Sequence, residues 1–297
     1  MHPHAELANY LSFISRQYHL QLCLNDFAGF VPSDRELDRA LRPFMAHTNP
    51  YCMYVKSSRL LYDRCLAMKK KIAEKSIKTE AVFYGVCHAG VGEYIIPIRC
   101  RGELVGVINA GVFRNDDWLG SRAIERLCRV SGLDAGQARE RYARSLTAAK
   151  PDLETATDIL GIAAAYLGNT CLNLASSQSG LKLGKRRYHS SEDEILAQVL
   201  EYIKENYQES VTVAEMARLC HCSESHLSHV FKRRIGANIK GYLNRLRVEQ
   251  AKQRLTGSGA GIVEIALDVG FADPNYFSRV FARLTGIPPS EYRRRYS

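Results

Sequence analysis

Apolar positions along the chain follow two different periods, and the change of period divides it. From Ser191 onward the repeat is helical throughout. Within this stretch one pattern is written twice, as TVAEMARLCHCSESHLSHVFKRRIG from Thr212 and as GIVEIALDVGFADPNYFSRVFARLTG from Gly261. Each copy predicts a short amphipathic helix, a tight turn, and a second helix with a polar leading turn and aromatic residues behind it. In the first copy Thr212 and Glu215 have capping-box spacing, and Ser223 is placed to cap the second helix. Met216, Ala217, Leu227, Val230 and Phe231 form its predicted inner face, which leaves Glu224, Ser225, Ser228, His229 and Lys232 outward. In the second copy Ile262, Ile265, Ala266, Val269, Phe277, Val280 and Phe281 point inward. Gly270 stands where a helix ending in the left-handed conformation needs glycine, and Asp273 followed by Pro274 reads as a cap with proline at the first helical position. Pro274, Asn275, Ser278 and Arg279 point outward, short polar groups plus an arginine, the type that reads base edges. Residues 239–255 predict a helix of about 17 residues, roughly 25 Å long, which suits a spacer holding two reading helices one duplex turn apart.

Before Ser191 helical and alternating stretches mix. Helices are predicted over residues 5–18, from the cap Asp34 to about 46 with a break near Pro43, and over 57–75; Asn49 and Pro50 read as a turn. Strands are predicted over 20–26 and 79–86, the latter interrupted by CHAG at 87–90. A hairpin over 92–100 and 103–113 turns at Arg101 and Gly102. Its expected form is half-buried, with Ile96, Ile98, Cys100, Leu104, Gly106 and Ile108 on one face. Helices follow over 121–131, 135–148 and 153–174; the last either packs on its own domain, runs between domains, or pairs with a copy in a dimer. The expected architecture is therefore an α+β domain over 1–175, helices around a small antiparallel sheet in the layout of PAS-like or GAF-like sensors. A linker over 176–190 leads to an all-α domain over 191–297 with two helix-turn-helix motifs.

Composition changes this picture little. At 297 residues the chain has room for two cores, and 46% hydrophobic with 24% charged residues is ordinary for a globular protein. There is no charged-then-apolar leader and no apolar run near membrane length, so a cytoplasmic protein without a span is expected. The formal charge of +10 invites a nucleic-acid partner, but it is net +4 from Arg186 onward and +6 before it. Local clusters say more: His229, Lys232, Arg233 and Arg234, and the tail Arg293, Arg294 and Arg295, are placed to meet phosphates. Lys69, Lys70 and Lys71 read as a solvated face. Nine cysteines without CxxC spacing are expected as reduced, mostly buried thiols. Cys220 and Cys222 flank His221, but successive residues point apart and no fourth ligand is evident, so no metal is expected there. No Gly-rich phosphate loop, Ser-His-Asp spacing or HExxH is present, and no enzyme is expected.

The segments LNRLRVEQAKQRL, IVEIALDVGF, NYFSRVFARLTG and PPSEYRR, all after Gly241, make the C-terminal part resemble the DNA-binding domain of the AraC family of bacterial transcription regulators. The resemblance implies base contacts from Ser225, Ser228 and His229 in the first reading helix and from Pro274, Asn275, Ser278 and Arg279 in the second. The first lacks the arginine that the second keeps. YCMYVKSSRLLYDRC from Tyr51 and YGVCHAGVGEYIIPIRCRGELVGVINAG from Tyr84 resemble the PocR sensory domain, a family associated with small hydrocarbon derivatives such as short diols. Where members commonly have glycine then glutamine after the hairpin, this chain has Gly111 and Val112. Together the resemblances imply an effector-responsive regulator, by family tendency an activator, that binds double-stranded operator DNA as a homodimer and recruits RNA polymerase. Read from the residues, CHAG sets a thiol and an imidazole on a turn beside a strand offering Asn109, so Tyr84, Cys87, His88 and Asn109 are expected to line an effector pocket, with Cys52 and Cys65 close by. Packing cysteines, or a Cys3His metal set, are the alternatives at the same residues. A thiol redox sensor and a cysteine-dependent alkyl-transfer repair regulator are the competing functions. No cofactor is expected.

Overall fold

A computed structural model of the chain describes residues 3–115, 117–148, 151–177 and 191–296. It forms two compact units, Met1–Ala197 and Gln198–Ser297. The expected linker lies, from residue 178 on, outside the described residues. The division itself falls inside helix α8 (Ser191–Asn206), whose first turns belong to the N-terminal unit.

The N-terminal unit is built on a four-stranded antiparallel sheet in the order β1 (Gln21–Asp26), β4 (Glu103–Arg114), β3 (Val91–Cys100), β2 (Phe83–Val86). Because side chains alternate along a strand, the pairing register sorts them into two faces. Leu22, Leu24, Tyr94, Ile96, Ile98, Ile108 and Ala110 pack against helix α1 (Pro3–Gln17) and helix α7 (Leu153–Ser177). The opposite face carries Ile95, Leu104 and Val107, packed with Ala73 of helix α4 (Arg59–Thr79), and beside them the polar residues Cys23, Asn25, Glu93 and Asn109. The hairpin is thus buried on both faces rather than half-buried, since helices cover both sides of the sheet. Leu104 leaves the face expected for it because the register shifts between Ile98 and Arg99.

Several boundaries differ from expectation for local reasons. Asn49 and Pro50 do not make a free turn: Asn49 Oδ1 accepts the Tyr51 N–H at 2.9 Å with Pro50 at the first helical position, which starts helix α3 (Pro50–Lys56). Helix α2 (Arg35–Leu41), capped by Asp34, ends in a 3-10 turn at Pro43. Helix α4 runs on to Thr79 and leaves only four residues to β2. Helices α5 (Asp117–Ser131) and α6 (Ala135–Ser145) close the unit around Tyr51, Ile124, Leu127 and Tyr142. Among the described helices α7 alone is long and apolar enough to cross a membrane. Ala156, Leu160, Ala163, Ala164, Leu167 and Cys171 on it are buried against the sheet, so it packs on its own domain.

The C-terminal unit follows the doubled pattern. Helix α9 (Val213–Leu219) starts in a complete capping box of Thr212 and Glu215, and helix α10 (Glu224–Ile235) on Ser223, whose Oγ accepts the His226 N–H at 3.2 Å. Helix α11 (Ile239–Gly257) is the spacer. Helices α12 (Ile262–Asp268) and α13 (Pro274–Thr285) form the second copy, and α14 (Pro289–Tyr296) closes the chain. Gly270 has φ +93°, and a Cβ there would meet the Tyr207 carbonyl oxygen at 2.6 Å, so the turn needs glycine twice over. Val248, Ala251, Leu255, Ile265, Ala266, Phe277 and Phe281 make the second core. Arg247 is buried beside it and donates to the carbonyls of Tyr207 at 2.7 Å and Glu209 at 2.8 Å.

Candidate functional site

Two sites emerge, one in each unit. On the polar face of the sheet a cavity of about 70 Å³ is walled by β1, β3, β4, α3 and α4 and by the CHAG turn. The structure brings Cys52, Cys65, Cys87, His88 and Asn109 to it. Tyr84 is not among its lining residues. It pairs with Tyr94 across the strands and therefore faces the opposite layer, where its hydroxyl donates to Asn115 Oδ1 at 3.0 Å. The residue alternation of β2 is the reason.

A buried polar chain crosses the wall. His47 Nε2 lies 2.8 Å from Glu93 Oε1; Asn109 Nδ2 donates to Glu93 Oε2 at 2.9 Å, and Asn25 Nδ2 donates to Asn109 Oδ1 at 2.9 Å. The chain ends at Asn25 Oδ1, which is buried and has no hydrogen-bond partner among the described residues. Burial alone would lower the His47 imidazole and raise the Glu93 carboxyl, but Cys23 and Glu93 raise the first and His47 lowers the second, so they form an ion pair. None of His47, Glu93, Asn25, Lys56, Lys69 or Glu194, all lining residues, was singled out from sequence. Lys69 in particular is drawn out of the run expected to be solvated.

The thiols are quiet. Burial, then Glu93 and Cys65, pushes Cys87 up to about 12; burial also raises Cys52 and Cys65. Thiol chemistry needs the thiolate, so this environment works against the redox and alkyl-transfer readings. Among the described residues no group of three or more His, Cys, Asp or Glu side chains is set to hold a metal ion. His88 Nε2 and Cys65 Sγ are 3.2 Å apart. Burial, with Arg64 and Lys71 nearby, lowers His88 to about 4, so its imidazole is neutral at physiological pH. An unfolded chain protonates this histidine first as pH falls, so its share of the stability is lost between pH 6.5 and about 4. His88→Gln is expected to flatten that acid limb, measured as urea midpoints at pH 7 and 5.

The second site is the outer surface of α10 and α13. Ser225, Ser228, His229 and Lys232 are exposed on the first, Asn275 and Arg279 on the second, with Pro274 and Ser278 half-buried. The Ser278 hydroxyl donates back to the Pro274 carbonyl at 3.0 Å. Arg294 is exposed on α14, whereas Arg293 is spent on structure, donating to the carbonyls of Leu255 and Ala260.

A family model described as "Sensory domain found in PocR" matches residues 36–172, and one described as "Helix-turn-helix domain" matches residues 216–295. The uncharacterized HTH-type transcriptional regulator YijO of Escherichia coli K12 is 36% identical over 115 residues, 38% of this chain and 41% of that protein. An uncharacterized HTH-type transcriptional regulator of Staphylococcus aureus is 36% identical over 112 residues, 36% of this chain and 15% of its own length. The chain thus spans less than half of either relative. Among solved structures, the C-terminal domain of the two-component response regulator yesN from Fusobacterium nucleatum is 33% identical over 32% of this chain and 93% of that one, with a TM-score of 0.31. The two family matches fall on the two units, so a PocR-type sensory domain stands ahead of an AraC-type helix-turn-helix domain in this chain.

Proposed function

We propose that the chain reads operator DNA with the leading turns of α10 and α13, in response to a small organic molecule held in the cavity of the N-terminal unit. The observation that carries this is the matched register of the two exposed turns. Counting from the caps Ser223 and Asp273, Ser228 and His229 stand in α10 where Ser278 and Arg279 stand in α13. Two such turns in one chain address successive segments of a major groove. A homodimer acting on DNA in the cytoplasm, activating catabolic genes by recruiting RNA polymerase, completes the reading. An effector acts by binding two states of the protein with unequal affinity. Hydroxylated compounds such as short diols suit the cavity, because Asn25 Oδ1 offers a buried acceptor.

Selection of fragmented genomic DNA with the full chain, with and without short diols, tests this. Enrichment of a few promoter fragments is expected, with occupancy that changes with effector. No preference over bulk DNA at low ionic strength would refute it. Arg294→Ala is expected to weaken binding to every sequence alike and to lower the slope of log affinity against log salt by about one, read from anisotropy titrations across a salt series.

A further inference from the structure

The cavity already holds a charged occupant from the chain itself. Lys56 reaches it from the last turn of α3 and Lys69 from α4. Lys56 Nζ lies 2.8 Å from Glu194 Oε2, and Lys69 Nζ lies 2.9 Å from Glu194 Oε1, so one carboxylate is clasped between two ammonium groups. Lys56 and Glu194 are only 3% and 4% exposed. Against the upward push of burial, the two lysines hold the Glu194 carboxyl well below the usual carboxylate range. Glu194 comes neither from the sheet nor from α3 or α4. It enters from the first turn of α8, the helix that continues into the DNA-binding unit.

We propose that the cavity takes a small organic carboxylate, a short hydroxy acid, whose carboxylate replaces that of Glu194 between Lys56 and Lys69 and so unseats the start of α8. This rests on the effector reading above and gives it a chemical class. The argument is one of charge. If Glu194 withdraws, the buried Lys56 and the half-buried Lys69 lose this carboxylate, and taking the counter-ion from a buried charge is heavily penalised. A neutral ligand leaves that penalty standing; an anion removes it. The hydroxyl has a polar residue to meet, since Asn25 lines the cavity at 6% exposure and its Oδ1 has no hydrogen-bond partner among the described residues. Val55, Met68, Ile72 and Val91 supply an apolar wall for a short alkyl chain. The cavity measures about 70 Å³, to which departure of the glutamate adds its own carboxylate's space, so the fit is to acids of a few carbons.

Lactate and propane-1,2-diol share a methyl and a secondary hydroxyl and differ in the carboxylate, which makes them the probe pair for calorimetric titration of the full chain, extended to 2-hydroxy acids of up to five carbons. Hydroxy acids are expected to bind and the diol to bind at least tenfold more weakly. Glu194→Gln is expected to bind the acids about tenfold tighter, because the competing carboxylate is gone. Adding Lys69→Gln to that variant is expected to lose about tenfold, the loss of one charge-assisted hydrogen bond; circular dichroism shows whether the variant is folded, and Lys69, being more exposed than Lys56, is the gentler site. Hydrogen exchange at residues 194–197 is expected to quicken on binding. Diol binding as tight as that of any acid, with Glu194→Gln neutral, overturns the carboxylate assignment and leaves the effector pocket standing. Binding of neither class to either protein overturns both.

Discussion

Glu93→Leu is expected to destabilise the sensory unit by about 3–5 kcal/mol, because removing one partner of a buried ion pair strands the other. Glu93 is 6% exposed, lies 2.8 Å from His47 Nε2 and accepts from Asn109, so its loss leaves a half-buried imidazole and a buried amide N–H without this acceptor. The backbone gives Glu93 no freedom to be replaced by a neighbour. The ladder slips between Gly92 and Glu93, which sets Glu93 opposite Gly111, and a Cβ on Gly111 would meet the Gly92 carbonyl oxygen at 2.6 Å. The same double change that removes both charges, His47→Leu with Glu93→Leu, is expected to recover most of the loss, since no uncompensated charge remains. Urea midpoints followed by circular dichroism measure the difference.

The pH dependence of that difference follows from the two shifts. His47 is raised above its ordinary 6.5, so its contribution is complete below pH 6.5 and is lost as pH rises through the raised value. Glu93 is lowered from 4.5, so its contribution is complete above pH 4.5 and is lost as pH falls through the lowered value. The gap between wild type and Glu93→Leu is therefore expected to be widest between pH 4.5 and 6.5. A gap below 1 kcal/mol across that window would mean that the pair does not hold the sheet to its neighbours.

What was legible in the sequence is what is encoded locally. Caps such as Thr212 with Glu215, Ser223 and Asp273 act within a few residues, and the inner faces of α9, α10, α12 and α13 repeat at helical spacing, so both helix-turn-helix motifs stood out. Cys87, His88 and Asn109 line one cavity with Cys52 and Cys65, and the first three are brought together by the short path from CHAG into the hairpin. The cations and carboxylates of the cavity were not found, since their pairing is non-local: Lys56 and Glu194 are 138 residues apart. Lys56 also sits on a helix hidden behind an Asn-Pro pair that reads as a turn, and Lys69 in a lysine run that reads as solvated. Two hints were available: Glu93, an acid in a largely apolar strand, and Asn25, an amide following the apolar run of β1. Tyr84 was misplaced by a single step of a period-two pattern, which moves a side chain across the sheet.

In the DNA-binding unit the largest effect is expected from Arg279→Ala. Asp273 accepts the Asn275 N–H at 2.8 Å and Pro274 occupies the first helical position, so the leading turn of α13 is fixed before any DNA is met. Arg279 projects from it exposed, its guanidinium 6.0 Å from the centre of the Tyr276 ring. An arginine so held offers two parallel donors to a guanine edge, and losing such a contact costs about 1–3 kcal/mol, roughly 5- to 150-fold in affinity, at one base position. His229, at the matching place in α10, has no such fork, so His229→Ala is expected to cost less. The discriminating measurement uses the selected operator and a copy with the contacted base pair changed. Wild type is expected to lose affinity between the two, whereas Arg279→Ala binds both equally, at the level wild type shows for the changed site. A loss spread evenly over operator and unrelated DNA would instead make Arg279 a phosphate contact like Arg294, and would shift base reading in this helix onto Asn275.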